Sequence, residues 1–393
     1  ERPPEKNRGP GSLSRSFRMS QTDPTPDRSD ALKATGSEAI LPVPQLPCGL
    51  PKPVHYRPKI GLIGCGGITP SHLRAYRTAG WEVVAFCSRT AATAEARRDE
   101  FYPDARVFTD YHELLALPEV DVVDISLHPG PRVAVIEAAL QAGKHVLSQK
   151  PFVLDLDEGE RLVALAKSCG RQLAVNQNGR WAPYFSFLLQ AVRAGCIGQV
   201  QSVVMTLNWD HSWIEGTPFE QVQDVVLYDF GIHWFDIAAQ FFQGREARSV
   251  FAVNAAPADQ KIKPPLLGSA LVTFDGGVAA LHFDAHSRFG ARESICLTGS
   301  AGTLRAEGAI CAAHDVTLFT AEGVAHPVME GNWFDDGFRG TMGELLAAIE
   351  EDREPSNAAA SALPGLALCF AAVASARSGR PMIPGQVRAL PSG

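Results

Sequence analysis

The hydrophobic pattern of the chain changes character twice along its length. Residues 1–57 carry Pro, Ser, Thr, Arg and Asp with no repeating apolar spacing, and are expected to form a disordered leader. From Lys59 onward, short apolar runs at 59–63, 81–86, 120–127 and 145–148 alternate with helical spacings. Runs that are apolar almost throughout are what strands buried on both faces of a parallel sheet require. Beyond residue 200 alternating strands take over, at 200–209, 247–253, 269–274 and 278–285. The last two are joined through Asp275-Gly276-Gly277, and further hairpin signals lie near 299–302 and 321–323. Two helical stretches, 338–351 and 363–378, close the chain. The fold expected is α/β plus α+β: a parallel-sheet domain over 58–178, then a domain over 179–385 built on an open, mostly antiparallel sheet.

Glycines sharpen the first domain. The strand at 59–63 runs into Gly64-Cys65-Gly66-Gly67-Ile68-Thr69 and then a helix through His72 to Thr78, the order of a Rossmann dinucleotide-binding start. Gly64 permits the tight turn, while Gly66 and Gly67 let backbone approach a pyrophosphate. At Ile68 the helix begins, and its free N–H groups face negative charge. Thr69 stands where G-x-G-x-x-G has its third glycine. At the end of the second strand, where an NAD site usually places a carboxylate for the ribose 2′-hydroxyl, the residues are Ser88-Arg89-Thr90. A guanidinium without a carboxylate favours NADP over NAD, although an arginine there can also be a solvated surface charge.

Charge and cysteine content exclude several classes. With 36 basic and 43 acidic residues the formal net charge is −7, and the folded part shows no basic run that would call for nucleic acid or an anionic membrane. Eight scattered cysteines without a C-x-x-C pair read as reduced thiols of a cytoplasmic protein rather than a zinc site or disulfide frame. The longest apolar stretch, 363–376, falls short of the roughly 20 residues of a membrane span.

Candidate chemistry gathers in three places. Lys150, in Gln149-Lys150-Pro151, follows the strand at 145–148 and so sits at the carboxyl edge where such sheets bind ligands. The helical stretch 225–242 carries Asp229, His233 and Asp236, and a four-residue spacing puts Asp229 and His233 on one face. An imidazole beside a carboxylate is either a proton-transfer pair or a histidine held in a packed interface. With one histidine and no convergent ligands, no metal site is expected. Asn178, Arg180 and Trp181, with the segment Trp209-Asp-His211-Ser-Trp213, add amides, charge and flat aromatic faces of the kind that bind sugars, and such residues also serve as ordinary packing.

Taken together, the glycine turn, Gly143-Lys-His-Val-Leu-Ser-Gln-Lys-Pro151, Asp229-Phe-Gly-Ile-His-Trp-Phe-Asp236 and the helix end at 374–381 resemble the Gfo/Idh/MocA oxidoreductases. The resemblance spans Lys59 to the last helix. It implies NAD or NADP as cofactor, Lys150 at the substrate hydroxyl and nicotinamide, His233 as acid/base, and Asp229 orienting the histidine and substrate. Two departures stand out: Gln149 for the family's usual Glu, and Leu127-His128-Pro129 for its T-P-N loop, with His128 either an extra polar group of the active site or a loop histidine facing solvent. The function implied is hydride transfer between nicotinamide and a secondary alcohol or ketone of a sugar or cyclitol. Its rivals are a reductase of a non-sugar ketone, imine or dihydrodiol, and a catalytically silent dinucleotide-binding sensor. Because an open sheet leaves one face to be covered, a homodimer or homotetramer is expected.

Overall fold

The computed structural model describes residues 36–391. Its first sheet contains β1 (Lys59–Ile63), β2 (Glu82–Cys87), β3 (Arg106–Phe108), β4 (Val120–Ile125), β5 (His145–Ser148) and β6 (Leu173–Val175). All pair in parallel, in the order β3-β2-β1-β4-β5-β6. The helices α1 (Thr69–Ala79), α2 (Ala91–Phe101), α3 (Tyr111–Leu115), α4 (Pro129–Gln141) and α5 (Leu156–Ser168) provide the crossovers. Strand order reverses between β1 and β4, and the crevice at their carboxyl ends is where a doubly wound sheet receives its ligand. Two strands, β3 and β6, were not expected, since three residues are too few to show a period.

The chain then crosses through α6 (Pro183–Arg193) into the second sheet. This contains β7 (Val200–Asn208), β8 (Ala247–Ala255), β9 (Leu267–Phe274), β10 (Gly277–Asp284), β11 (Arg292–Gly299), β12 (Gly302–Gly308), β13 (His314–Thr320) and β14 (Val324–Ala325). Their order is β14-β13-β12-β11-β7-β10-β9-β8, antiparallel except for the β7–β10 pair. One face is covered by α7 (Ile232–Phe241) and α9 (Ala359–Ser378). The other presents Val204, Phe251, Val253 and Leu271, each between 41% and 50% exposed.

The two closing helices begin earlier than the sequence pattern suggested. Helix α8 (Trp333–Glu350) starts where the Asn332 side chain accepts the Asp335 N–H at 2.8 Å. Phe338, Met342, Leu345 and Leu346 of α8 then join Leu73 and Tyr76 of α1 in one apolar cluster, so a helix from the end of the chain roofs the first sheet. Helix α9 runs through Pro364 and is long and apolar enough to span a membrane by length and composition, which the expected 363–376 stretch was not. Most of it is buried against α5, α7 and β8, the burial of a core helix.

The expected leader differs from the structure at its C-terminal end. Residues 1–35 lie outside the described residues, but from Ala39 the backbone is held. Ala39 and Leu41 exchange hydrogen bonds of 2.8 Å with Val324, and the Glu350 carboxylate accepts the N–H groups of Val54, His55 and Tyr56. A segment without apolar period can still be ordered when its polar backbone finds such fixed partners, which composition does not reveal.

Candidate active site

The glycine turn is shaped by contacts on one side and space on the other. Gly64 has φ +96°, and a Cβ there would lie 2.5 Å from the Ser126 carbonyl oxygen at the end of β4, so a side chain is excluded twice over. Around Gly66 and Gly67 a Cβ would meet nothing within 4 Å. Thr69 closes the turn in place of the third glycine, its hydroxyl donating to the Gly66 carbonyl at 2.6 Å. Helix α1 has no acidic residue in its first turn and no side-chain cap, which leaves its N-terminus to an anion. This open cradle fits a dinucleotide pyrophosphate. After β2, Ser88 is half-buried and Arg89 is exposed, with no hydrogen bond from its guanidinium among the described residues.

The strand ends next to the switch point are tied together by a buried cation. Arg132 of α4 is 1% exposed, and its hydrogen bonds go to backbone carbonyls, while the Asp229 carboxylate acts on it electrostatically. Its guanidinium donates to the carbonyls of Leu127, Gln149, Pro151 and Phe152, clamping the loop after β4 to the loop after β5. Desolvation lowers its pKa to about 10, so it stays charged at neutral pH. Gln149 extends the scaffold. Its amide oxygen accepts the Lys150 N–H at 2.6 Å, and its amide nitrogen lies 3.0 Å from His72 Nε2. His72 Nδ1 in turn contacts Asp124 Oδ2 at 2.7 Å, and Tyr76 donates to the same oxygen at 2.6 Å. Gln149 thus ties the Lys150 backbone to a buried hydrogen-bonded chain.

Lys150 reaches across to the second domain. Its Nζ donates to the Asp229 carbonyl at 2.8 Å and lies 3.3 Å from Asp229 Oδ2. An ammonium has three donors, so one remains for a substrate oxygen. Here the expected Asp229–His233 pairing is corrected: Asp229 partners Lys150, and no hydrogen bond joins it to His233. The cause is local. Residues Val226–Phe230 form a π turn, with Phe230 N bonding Val225 O and Gly231 N bonding Val226 O, before α7 begins at Ile232. That extra residue breaks the α-helical register that a four-residue spacing assumes. Gly231 permits the turn, since a Cβ would lie 2.7 Å from the Val226 carbonyl oxygen. Among the described residues His233 Nδ1 is buried without a hydrogen-bond partner. Desolvation, then the Lys150 charge, hold its pKa well below the usual histidine value.

An aromatic wall runs from one domain to the other. His128, exposed before α4, meets Phe219 at 5.9 Å between ring centres, and Phe219 meets Trp213 at 5.7 Å. Trp213 packs on His211, His211 on Phe230, and Phe230 on Trp209 and Trp234. Trp333 then sits edge-on to His233 at 5.3 Å.

The residues expected at the substrate fare unevenly. Arg180 is corrected to a structural role: it is 5% exposed, and its donors go to the two Asp236 carboxylate oxygens, Ser356 O and both oxygens of Ser361. Trp181 is buried beneath α8, where a Cβ on Gly340 would overlap it. Asn178 is 4% exposed, with its carbonyl against Gly337. Trp209 is 8% exposed and stacks on Phe230, its indole N–H donated to His211. Arg132 has no expected role in the sequence, whereas His211 lies within the Trp209–Trp213 segment expected around the cleft. A lone arginine in the apolar helix 129–141 and a histidine between tryptophans two residues away on each side were the available signals. Among the described residues, no group of three or more His, Cys, Asp or Glu side chains is placed to hold a metal.

Comparison with known proteins adds to this geometry. Residues 58–177 match the model of an oxidoreductase family with an NAD-binding Rossmann fold, and residues 185–305 match the GFO/IDH/MocA C-terminal domain. The chain is 28% identical to D-apiose dehydrogenase of Paraburkholderia graminis, covering 82% of this chain and 88% of that protein. It is 26% identical to inositol 2-dehydrogenase of Rhizobium meliloti, covering 81% and 96% respectively. Among solved structures, an oxidoreductase from Agrobacterium radiobacter in complex with NAD+, L-tartaric acid and magnesium superposes with TM-score 0.75 at 22% identity, covering 84% of this chain and 99% of that one.

Proposed function

The chain belongs to the Gfo/Idh/MocA family of NAD-binding oxidoreductases, and from that premise we propose that it interconverts a secondary alcohol and ketone of a sugar or cyclitol. The observation that carries the reading is the Lys150–Asp229 bridge. It sets an ammonium with a spare donor beside the sheet's switch point, in the same cleft as a histidine held neutral. Relatives named for apiose and inositol support a polyhydroxylated substrate.

A bound nicotinamide dinucleotide would supply the hydride acceptor for oxidation, its pyrophosphate held by the Gly64–Thr69 turn and the N-terminus of α1. Lys150 donates its free N–H to the substrate hydroxyl oxygen and stabilises the alkoxide character that develops as hydride leaves. His233 Nε2 takes the hydroxyl proton, and in ketone reduction returns it. Asp229 fixes the ammonium, while Arg132 and the Gln149 chain fix the loop that carries it.

A scan of sugars, cyclitols and their ketones against both nicotinamides, followed by absorbance of the reduced cofactor, tests the reading. Turnover of at least one polyol is expected, and none with any would overturn it. Arg89 favours the cofactor bearing a 2′-phosphate. NADP(H) should therefore give the higher kcat/KM, and Arg89→Ala should narrow the difference about tenfold. An NADH preference in the unaltered enzyme would reject this part. Eight free cysteines accord with the reducing cytoplasm.

The exposed sheet face supports a homo-oligomer. Phe251 lies opposite Leu271 across β8 and β9, giving an apolar stripe continuous with Val204 and Val253. Leu271→Glu should shift the protein to monomers in sedimentation velocity without loss of secondary structure. An unchanged mass would place the interface elsewhere.

A further inference from the structure

We propose that His211 is a substrate-recognition residue of this cleft, fixed by two tryptophan indoles as the neutral Nε2–H tautomer and donating one hydrogen bond to a substrate hydroxyl or carbonyl oxygen. The proposal deepens the polyol reading above and rests on it. Trp209 Nε1 lies 2.8 Å, and Trp213 Nε1 3.2 Å, from the same atom, His211 Nδ1. An indole N–H can only donate, so Nδ1 must present its lone pair to both and the ring proton is confined to Nε2. A proton on Nδ1 would face two donors at hydrogen-bond distance.

Position gives the free N–H its target. Among the described residues Nε2 has no partner, and it is not one of the buried polar atoms left without one. The ring packs 5.0 Å from Phe230, the neighbour of Asp229, and lies in the aromatic wall that links His128 at the switch point to His233. Asp229, Lys150 and Asp210 all act on it electrostatically, Lys150 opposing the two carboxylates. Burial dominates and brings its pKa to about 4, so the ring is neutral at neutral pH. A neutral donor beside one ammonium suits an uncharged polyol or its ketone, because it adds no second cation to attract an anion.

Nitrogen-15 shifts of the histidine side chains provide the first test. The His211 ring should show the Nε2–H neutral pattern unchanged from about pH 6 to about pH 8, and an Nδ1–H or doubly protonated ring would overturn the proposal. Kinetics on the best polyol from the scan provide the second. His211→Phe should raise KM about tenfold with the cofactor dissociation constant unchanged. In His211→Gln the amide nitrogen stands near the lost Nε2, and KM should return to within about threefold of the parent. Equal KM in parent, Phe and Gln enzymes refutes the role. A parent enzyme inactive on every polyol refutes the underlying reading instead, and the nitrogen-15 pattern separates that failure from a failure of the indole clamp.

Discussion

Replacing Lys150 by methionine should lower kcat for alcohol oxidation by about 10²–10³-fold, the loss typical of one donor aimed at a developing oxyanion. Methionine keeps an unbranched chain of similar reach in a position about one-fifth exposed, so packing changes little while the charge is lost. Cofactor affinity, measured by quenching of protein fluorescence, should stay within about threefold, because the cradle at Gly66 and Gly67 is formed by other elements. Lys150→Arg should restore little, since a planar fork cannot reproduce both contacts to Asp229 and still direct a donor at the substrate. A second effect separates this account from simple structural damage. The Lys150 charge helps depress the His233 pKa, so its removal should move the acid limb of the oxidation profile to higher pH. Turnover within a few-fold of the parent would remove Lys150 from the chemistry.

Much of this site was legible because backbone constraints leave marks in sequence. Gly64 is required by a positive φ and by the approach of Ser126, and the strand–turn–helix order around it identifies the dinucleotide edge. Lys150 was placed by the strand before it. What could not be read depends on contacts between distant segments. Asp229 was paired with His233 by α-helical spacing, yet the π turn ending at Gly231 changes the local register and Lys150 arrives from 79 residues away. Arg180 offers five donors and looks suited to a sugar, but Asp236, Ser356 and Ser361 use them all. The roof that α8 forms over α1, and the hold of Glu350 on Val54 to Tyr56, likewise join segments with no shared pattern. Periodicity reports which face a residue buries, not which partner it meets.

His233→Ala should cost about 10²–10⁴ in kcat, the range general acid–base groups contribute, with cofactor binding retained. The sign of the pH dependence follows from the lowered pKa. Oxidation needs the ring neutral, and desolvation together with Lys150 keeps it so well below the ordinary value of 6.5. The oxidation rate should therefore stay level as pH falls through that value, and decline only further into acid. Ketone reduction needs the protonated ring, which is scarce at neutral pH, so its rate should climb as pH falls over the same interval. Added imidazole should recover part of the oxidation rate of His233→Ala but none of that of Lys150→Met, because only the former loses a proton acceptor. If His233→Ala keeps the parent's rate, or if both directions lose activity together on acidification, the proton passes through another group. The open Nε2 of His211 already carries hydrogen when the indoles clamp Nδ1, so that ring can donate but cannot accept in its place.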